Sequence, residues 1–224
     1  MTRVLVLTAI DVEARGLARH LGLTRIARSP WPHFASGTVE LACVGLRASQ
    51  LAGRAGAFRP FDLVISAGAC GALAPELAVG DLVVPEAVVD AAGGRWATAL
   101  LRRLAPAGTL LTVADVVETP AHKSRLWLES GARAVDMESA PILAWAAERG
   151  SRGAVVRAVS DSAERAIPAA LAAAVGDDGR VRPLRAVTAA LARPSALTHL
   201  MELRAGSEAA LKSVSAALAA LVRE

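Results

Sequence analysis

Over the first two thirds of the chain, short apolar runs alternate with longer stretches whose apolar residues recur every three or four positions. The short runs predict strands over residues 3–9, 39–44, 63–67, 81–84, 109–113, 134–136 and 154–160. Helical spacing predicts helices over 11–20, with Gly22 just past the end, and over 48–57, 121–130 and 139–149. The last third changes character: a turn signal at Asp177-Asp178-Gly179 is followed by helical patterns over 183–191 and 195–222. No repeat, low-complexity linker or internal boundary interrupts the pattern, so residues 1–224 read as a single domain. Strands alternating with helices point to an α/β fold, a three-layer αβα sandwich around a mixed central sheet. In such folds ligands gather at strand ends and the loops that follow them.

Composition narrows the classes. A hydrophobic share of 54%, mostly alanine and leucine, is ample for a core. No apolar run reaches the roughly 18–20 residues that span a bilayer, and no transmembrane segment is expected. The seven-residue apolar stretch near the start lacks a cleavage pattern and reads as the first strand. The net charge of +4 is carried almost wholly by arginine; the lysines are Lys123 and Lys212. Aromatic residues make up 3% and tyrosine is absent, so the stacking platforms and basic runs of a nucleic-acid binder are missing. Cys43 and Cys70 are far apart and read as reduced thiols. The four histidines are isolated, and no metal site or cofactor is expected. Cytoplasmic residence is the default expectation.

Four stretches carry candidate chemistry. Ser160-Asp161 closes a strand, with Arg157 four residues before Asp161. A carboxyl group there can protonate a heterocycle nitrogen if burial or a like charge raises its pKa, and Arg157 can orient a developing anion. Taken alone, the pair is more simply a turn cap. Asp136-Met137-Glu138 opens a helix; a carboxylate matches two vicinal hydroxyls and methionine offers a soft wall, although acids in a first helical turn ordinarily answer the macrodipole. Glu13, just after the first strand, is placed to act as a general base or merely to start a helix. The small-residue run Ser66-Ala-Gly68-Ala69-Cys70-Gly71 lets backbone N–H groups approach a ligand, or else packs tightly; it has neither dinucleotide nor P-loop spacing.

Taken in order, TAIDVE (residues 8–13), AGACGALAP with VGDLVV (67–75, 79–84), VDMES (135–139) and RAVSD (157–161) resemble the nucleoside phosphorylase-I superfamily, in particular its methylthioadenosine/S-adenosylhomocysteine nucleosidases. The resemblance implies that Glu13 activates a water and that Glu138 binds the ribose hydroxyls beside Met137. It implies that Asp161 serves purine N7, with Ser160 and Arg157 positioning, and that adenine leaves. Gly68, Ala69 and Gly71 would line the sugar side. The chain departs from the family at Ala69, where a serine is usual. It departs again in ADVVE (114–118), which places Val117, next to Glu118, where a stacking phenylalanine is usual. Residues 90–99 replace a longer loop, leaving room for a bulky 5' substituent. Short motifs at 166–168, 178–181 and 191–194 resemble the hopanoid-associated phosphorylases, which act on adenosylhopane.

The expected reaction is cleavage of the N-glycosidic bond of a 5'-substituted purine nucleoside. Phosphorolysis needs a cationic cradle; Arg15, Arg54 and, best placed, Arg47 are its candidates, with phosphate as co-substrate. Glu13 favours water instead. A non-catalytic nucleoside binder is the third reading, permitted by Ala69 and Val117. The resemblance also implies a homo-oligomer.

Overall fold

The computed structural model describes residues 2–167, 175–180 and 194–222. The first strand, β1 (Val4–Thr8), runs into α1 (Asp11–His20). The short β2 (Thr24–Arg25), β3 (His33–Ser36) and β4 (Val39–Cys43) form an antiparallel run that returns β4 parallel to β1. The predicted helix over 48–57 is broken: a 3-10 turn at Leu46–Ala48, α2 (Leu51–Arg54) and a second 3-10 turn at Ala55–Ala57. Gly53 and Gly56 fall inside this stretch, and two glycines within four residues disfavour a continuous helix.

The strand expected to end at residue 67 continues instead through the small-residue run, as β5 (Leu63–Ala72). Then follow β6 (Leu82–Val83), the hairpin β7 (Ala87–Asp90) and β8 (Arg95–Ala97), β9 (Thr109–Thr112), α3 (Pro120–Ser130), β10 (Ala134–Asp136), α4 (Ser139–Glu148), β11 (Arg152–Asp161) and the long α5 (Pro194–Val222). The helix expected at 183–191 lies outside the described residues.

All strands among the described residues join one mixed sheet, in the order β2-β3-β4-β1-β5-β10-β9-β7-β8, with β11 on the other edge of β5 and β6 beyond it. Alternate residues feed opposite faces. Val6, Leu41, Ile65 and Val156 pack under α1 and α5 with Leu17 and Val214. Leu5, Leu7 and Val64 pack under α4 with Ile142 and Trp145. This is the expected three-layer arrangement.

β5 creates the opening. Its first part, Leu63–Ser66, pairs with β1, whereas Gly71 and Ala72 pair with β10. Between these contacts β1 and β10 diverge, and the β5 edge from Ala67 to Cys70 has no strand against it on that side. Gly68 sits at the changeover with φ +146, a backbone region reserved almost wholly for glycine. β11 pairs along the opposite edge in parallel as far as a bulge between Val159 and Asp161. That bulge re-aims the end of the strand toward the gap. α5 crosses close above it: a Cβ at Gly206 would lie 2.0 Å from the Ser160 carbonyl oxygen.

Candidate active site

The gap beside β5 is a cavity of about 260 Å³ lined by residues drawn from Ala9 to Val175. Glu13 fills its floor. The Glu13 Oε1 accepts from the Ala69 N–H at 2.9 Å, one of the β5 amides that the diverging strands leave without a ladder partner. Its Oε2 accepts from the Ile10 N–H at 3.3 Å, the backward bond of a helix start. The helix-start reading and the functional reading of Glu13 are thus both satisfied by one side chain. A Cβ on Gly68 would stand 2.6 Å from Glu13 Oε1, so glycine is also needed for the carboxylate to lie against the strand. Burial raises the Glu13 pKa above its ordinary value, and the Arg157 charge and backbone N–H groups only partly oppose this.

Arg157, fully buried, holds the middle of the site. Its Nη2 lies 2.8 Å from Asp136 Oδ2 and 3.3 Å from Glu138 Oε2, and donates to Ser66 Oγ at 3.0 Å. Burial alone would lower its pKa, but the carboxylates of Asp136, Glu138 and Glu13 raise it. Asp136 is tied in further by Thr112 Oγ1 at 2.7 Å and by the Ser139 N–H at 3.0 Å. It therefore anchors α4 and Arg157, and both it and Glu138 line the cavity beside Met137. Glu138 Oε1 accepts the Arg47 N–H at 3.1 Å, from a loop where Arg47 and Ala48 both take positive φ. Strain of this kind, about 1–3 kcal/mol per residue, is kept where the backbone must aim a group. Burial pushes the Glu138 pKa up to about 7 despite Arg157.

At the far end stands Asp161, also buried. Ser160 Oγ donates to its Oδ1 at 2.7 Å. Its Oδ2 accepts from Lys123 Nζ at 2.5 Å, and the same ammonium donates to the Ser162 carbonyl at 2.7 Å. Lys123 is wholly buried, one turn into α3, behind the N-cap of Thr119 and Pro120. The sequence pattern did not single it out as a site residue. The available signal was its rarity: all but two of the 25 basic residues are arginine, and one of the two exceptions lies here. The acid reading of Asp161 asked for burial or a like charge; the structure supplies burial together with an opposite charge.

Of the other residues expected at the site, Ala69, Gly71, Val117, Met137 and Ser160 line the cavity. Glu118 does not: its contribution is a carbonyl that accepts the Ile167 N–H at 2.8 Å. Gly68 acts from beneath Glu13. Arg47 leans outward: its guanidinium pairs with Asp177 and donates to the Ala114 carbonyl, so it is not a cavity cation. The Asp177 turn docks at the mouth, its carbonyl accepting from the Leu46 N–H and from Ser49 Oγ, while the Gly179 carbonyl accepts from the Asp11 N–H. Val113 and Met137 are shared with a second groove of about 420 Å³ that runs past Asp90, Trp96 and Ala144.

Comparison with known proteins identifies the family. The sequence profile of the phosphorylase superfamily matches residues 46–101 and 97–192. Futalosine hydrolase of Streptomyces coelicolor is 32% identical over 225 residues, covering 81% of this chain and 95% of that protein. Among solved structures, the 5'-methylthioadenosine/S-adenosylhomocysteine nucleosidase of Neisseria meningitidis, in complex with methylthio-immucillin-A, superposes with a TM-score of 0.72 at 17% identity. That superposition covers 100% of this chain and 99% of that one. Futalosine hydrolase of Helicobacter pylori superposes with a TM-score of 0.71 at 15% identity, covering 99% and 97%. The profile and the sequence relative both cover most of the chain, and the chain belongs to the phosphorylase superfamily.

Proposed function

We propose that this protein hydrolyses the N-glycosidic bond of a purine nucleoside that carries a substituent at its 5' position. The observation that carries the reading is the convergence of Glu13, Glu138 and Asp161 on one cavity in which the cations, Arg157 and Lys123, are already paired with carboxylates. A neutral sugar and a water molecule suit such a site. A phosphate dianion meets carboxylates and finds its best cationic candidate, Arg47, engaged outside.

The assigned roles follow from position. Glu13, with its raised pKa, takes a proton from the attacking water. Glu138, beside Met137, accepts hydrogen bonds from the ribose hydroxyls. Both carboxylates stabilise the positive charge that grows on the sugar as the bond breaks. Asp161 faces the purine, and a proton passed to the ring lets the base leave neutral. The groove continuing past Met137 and Val113 gives a 5' substituent somewhere to lie.

Adenine is the base that the motif resemblance implies. The relative named for futalosine makes that compound the second substrate to offer. The relatives reported above are named for futalosine and methylthioadenosine rather than for a lipid-linked nucleoside, and the convergence of three carboxylates argues against a mere binder. The test is base release, followed chromatographically, from futalosine, methylthioadenosine and adenosine, with and without phosphate. Release independent of phosphate is expected. Release only with phosphate overturns hydrolysis, and no release from any 5'-substituted purine nucleoside overturns the enzymatic reading.

A further inference from the structure

We propose that Lys123 is a positioning residue that acts through Asp161, supplying the proton with which the purine leaves. This rests on the hydrolase reading above. Asp161 accepts a hydrogen bond at each oxygen, from Ser160 at Oδ1 and from the Lys123 ammonium at Oδ2. The Lys123 ammonium thus aims a proton at the carboxyl group that faces the purine. The nearest transferable proton is on Lys123 Nζ, 2.5 Å from Oδ2.

The choice of lysine supports the role. A cation needed only to balance Asp161 could be arginine, the residue this chain uses almost everywhere else. A guanidinium does not give up its proton in proteins, whereas a buried ammonium does so readily. Lys123 also lines the cavity itself, and its second hydrogen bond, to the Ser162 carbonyl, fixes it at the end of β11 where the bulge turns Asp161 inward.

The step balances. The bond between the sugar carbon and the purine nitrogen breaks, and its electron pair passes into the purine. The ring nitrogen facing Asp161 gains a proton from the carboxyl group as Lys123 transfers one to Oδ2, leaving Lys123 a neutral amine and Asp161 a carboxylate. Water adds to the sugar carbon and gives its proton to Glu13. Solvent afterwards returns a proton to Lys123 and removes one from Glu13.

The test compares two leaving groups in the intact protein. One is the purine nucleoside the parent hydrolyses fastest; the other is p-nitrophenyl β-ribofuranoside, whose phenolate leaves without protonation. For Lys123→Met, kcat on the purine substrate is expected to fall about 100-fold or more, the usual range for a lost acid, with KM little changed. The loss on the phenyl riboside is expected to be at least about 20-fold smaller, because that reaction makes no use of the acid. Lys123→Arg keeps the charge and should not recover the purine reaction. Because Lys123→Met strands a buried carboxylate, the Lys123→Met/Asp161→Asn double variant is measured alongside; it removes both charges and should melt near the parent while remaining slow on the purine. Equal losses on both substrates overturn the proposal, as does purine turnover near the parent rate in the methionine, arginine or double variant. A parent inactive on every nucleoside sinks the hydrolase reading itself; parent-like turnover in the double variant also removes Asp161 from its role, whereas the methionine and arginine results sink only the role of Lys123.

Discussion

Replacing Glu138 by glutamine should trade function against pH-dependent stability. Glu138 has its pKa pushed up to about 7 from 4.5 by burial, against the opposing pull of Arg157. An acid whose pKa is higher in the folded state binds more protons folded than unfolded between those two values. Its contribution to stability is therefore fully present below about 4.5 and is lost as pH rises through about 7. The size of that loss is about 3 kcal/mol, from the shift at 1.4 kcal/mol per unit. Glutamine does not titrate and escapes the loss. It has only one oxygen for two donors, the Arg47 N–H and Arg157 Nη2, and leaving one of them facing an amide NH₂ costs about 1–3 kcal/mol at any pH. The signature is therefore the change between pH values, not the absolute melting point. Between pH 5 and pH 8.5 the parent should lose about 2–3 kcal/mol more than Glu138→Gln, a difference of roughly 4–12 °C in Tm for a chain of this size. Glu13, also raised by burial, leaves both proteins a residual slope of the same sign. Differential scanning calorimetry of the ligand-free proteins at the two pH values measures this. Identical pH slopes for parent and variant would refute the reasoning. In the same variant, kcat/KM on ribosides should fall by about 100-fold or more, as for a lost charged contact of about 3 kcal/mol. A parent equally active on ribo and 2'-deoxy substrates would remove the diol-binding role.

Other expectations can be checked with the same assays. Asp161→Asn should abolish purine turnover and also strand the Lys123 ammonium, lowering stability by about 3–5 kcal/mol; an unchanged urea midpoint would show that the pair is not buried as described. Gly68→Ala should combine about 1–3 kcal/mol of backbone strain with displacement of Glu13, so kcat should fall more than the melting point implies; wild-type kcat would detach Glu13 from the strand. Gly206→Ala should lift α5 from the Ser160 carbonyl, costing about 1–3 kcal/mol by overpacking and slowing turnover from a distance, with unchanged kcat as the contrary result.

The sequence revealed most about strands and least about how they meet. Val4–Thr8 and the Ala154–Val159 part of β11 announced themselves by valine-rich apolar runs, and Asp11–His20 by its helical stretch closed by Gly22. The continuation of β5 through Ser66–Ala72 was hidden, because alanine and glycine carry no periodic signal; that stretch is a strand because β11 and β10 pair with it. The hairpin of Ala87–Asp90 and Arg95–Ala97 was also missed, since only cross-strand pairing stabilises such short segments. Glu13, Glu138 and Asp161 were legible as acids at element ends. Lys123 was not, because a single cation in a capped helix looks like any solvated lysine until the fold turns it inward. Asp136 and Glu138 were adjacent in one motif, and only the contacts with Ser139 and Thr112 separate anchor from ligand.

The point where β5 exchanges β1 for β10 has a consequence for how this scaffold can vary. Gly68 lies against Glu13 and Gly71 against Asp161, so these two carboxylates hang on positions three apart in a continuous strand, a span of about 10 Å. That span is set by covalent chain and is insensitive to loop excursions. The hairpin after β7 and the Asp177 turn can be lengthened, shortened or recomposed while the separation between the Glu13 and Asp161 carboxylates stays fixed. A one-residue insertion between Gly68 and Gly71, by contrast, would flip every later side chain of β5 to the opposite face and dismantle the site in a single step.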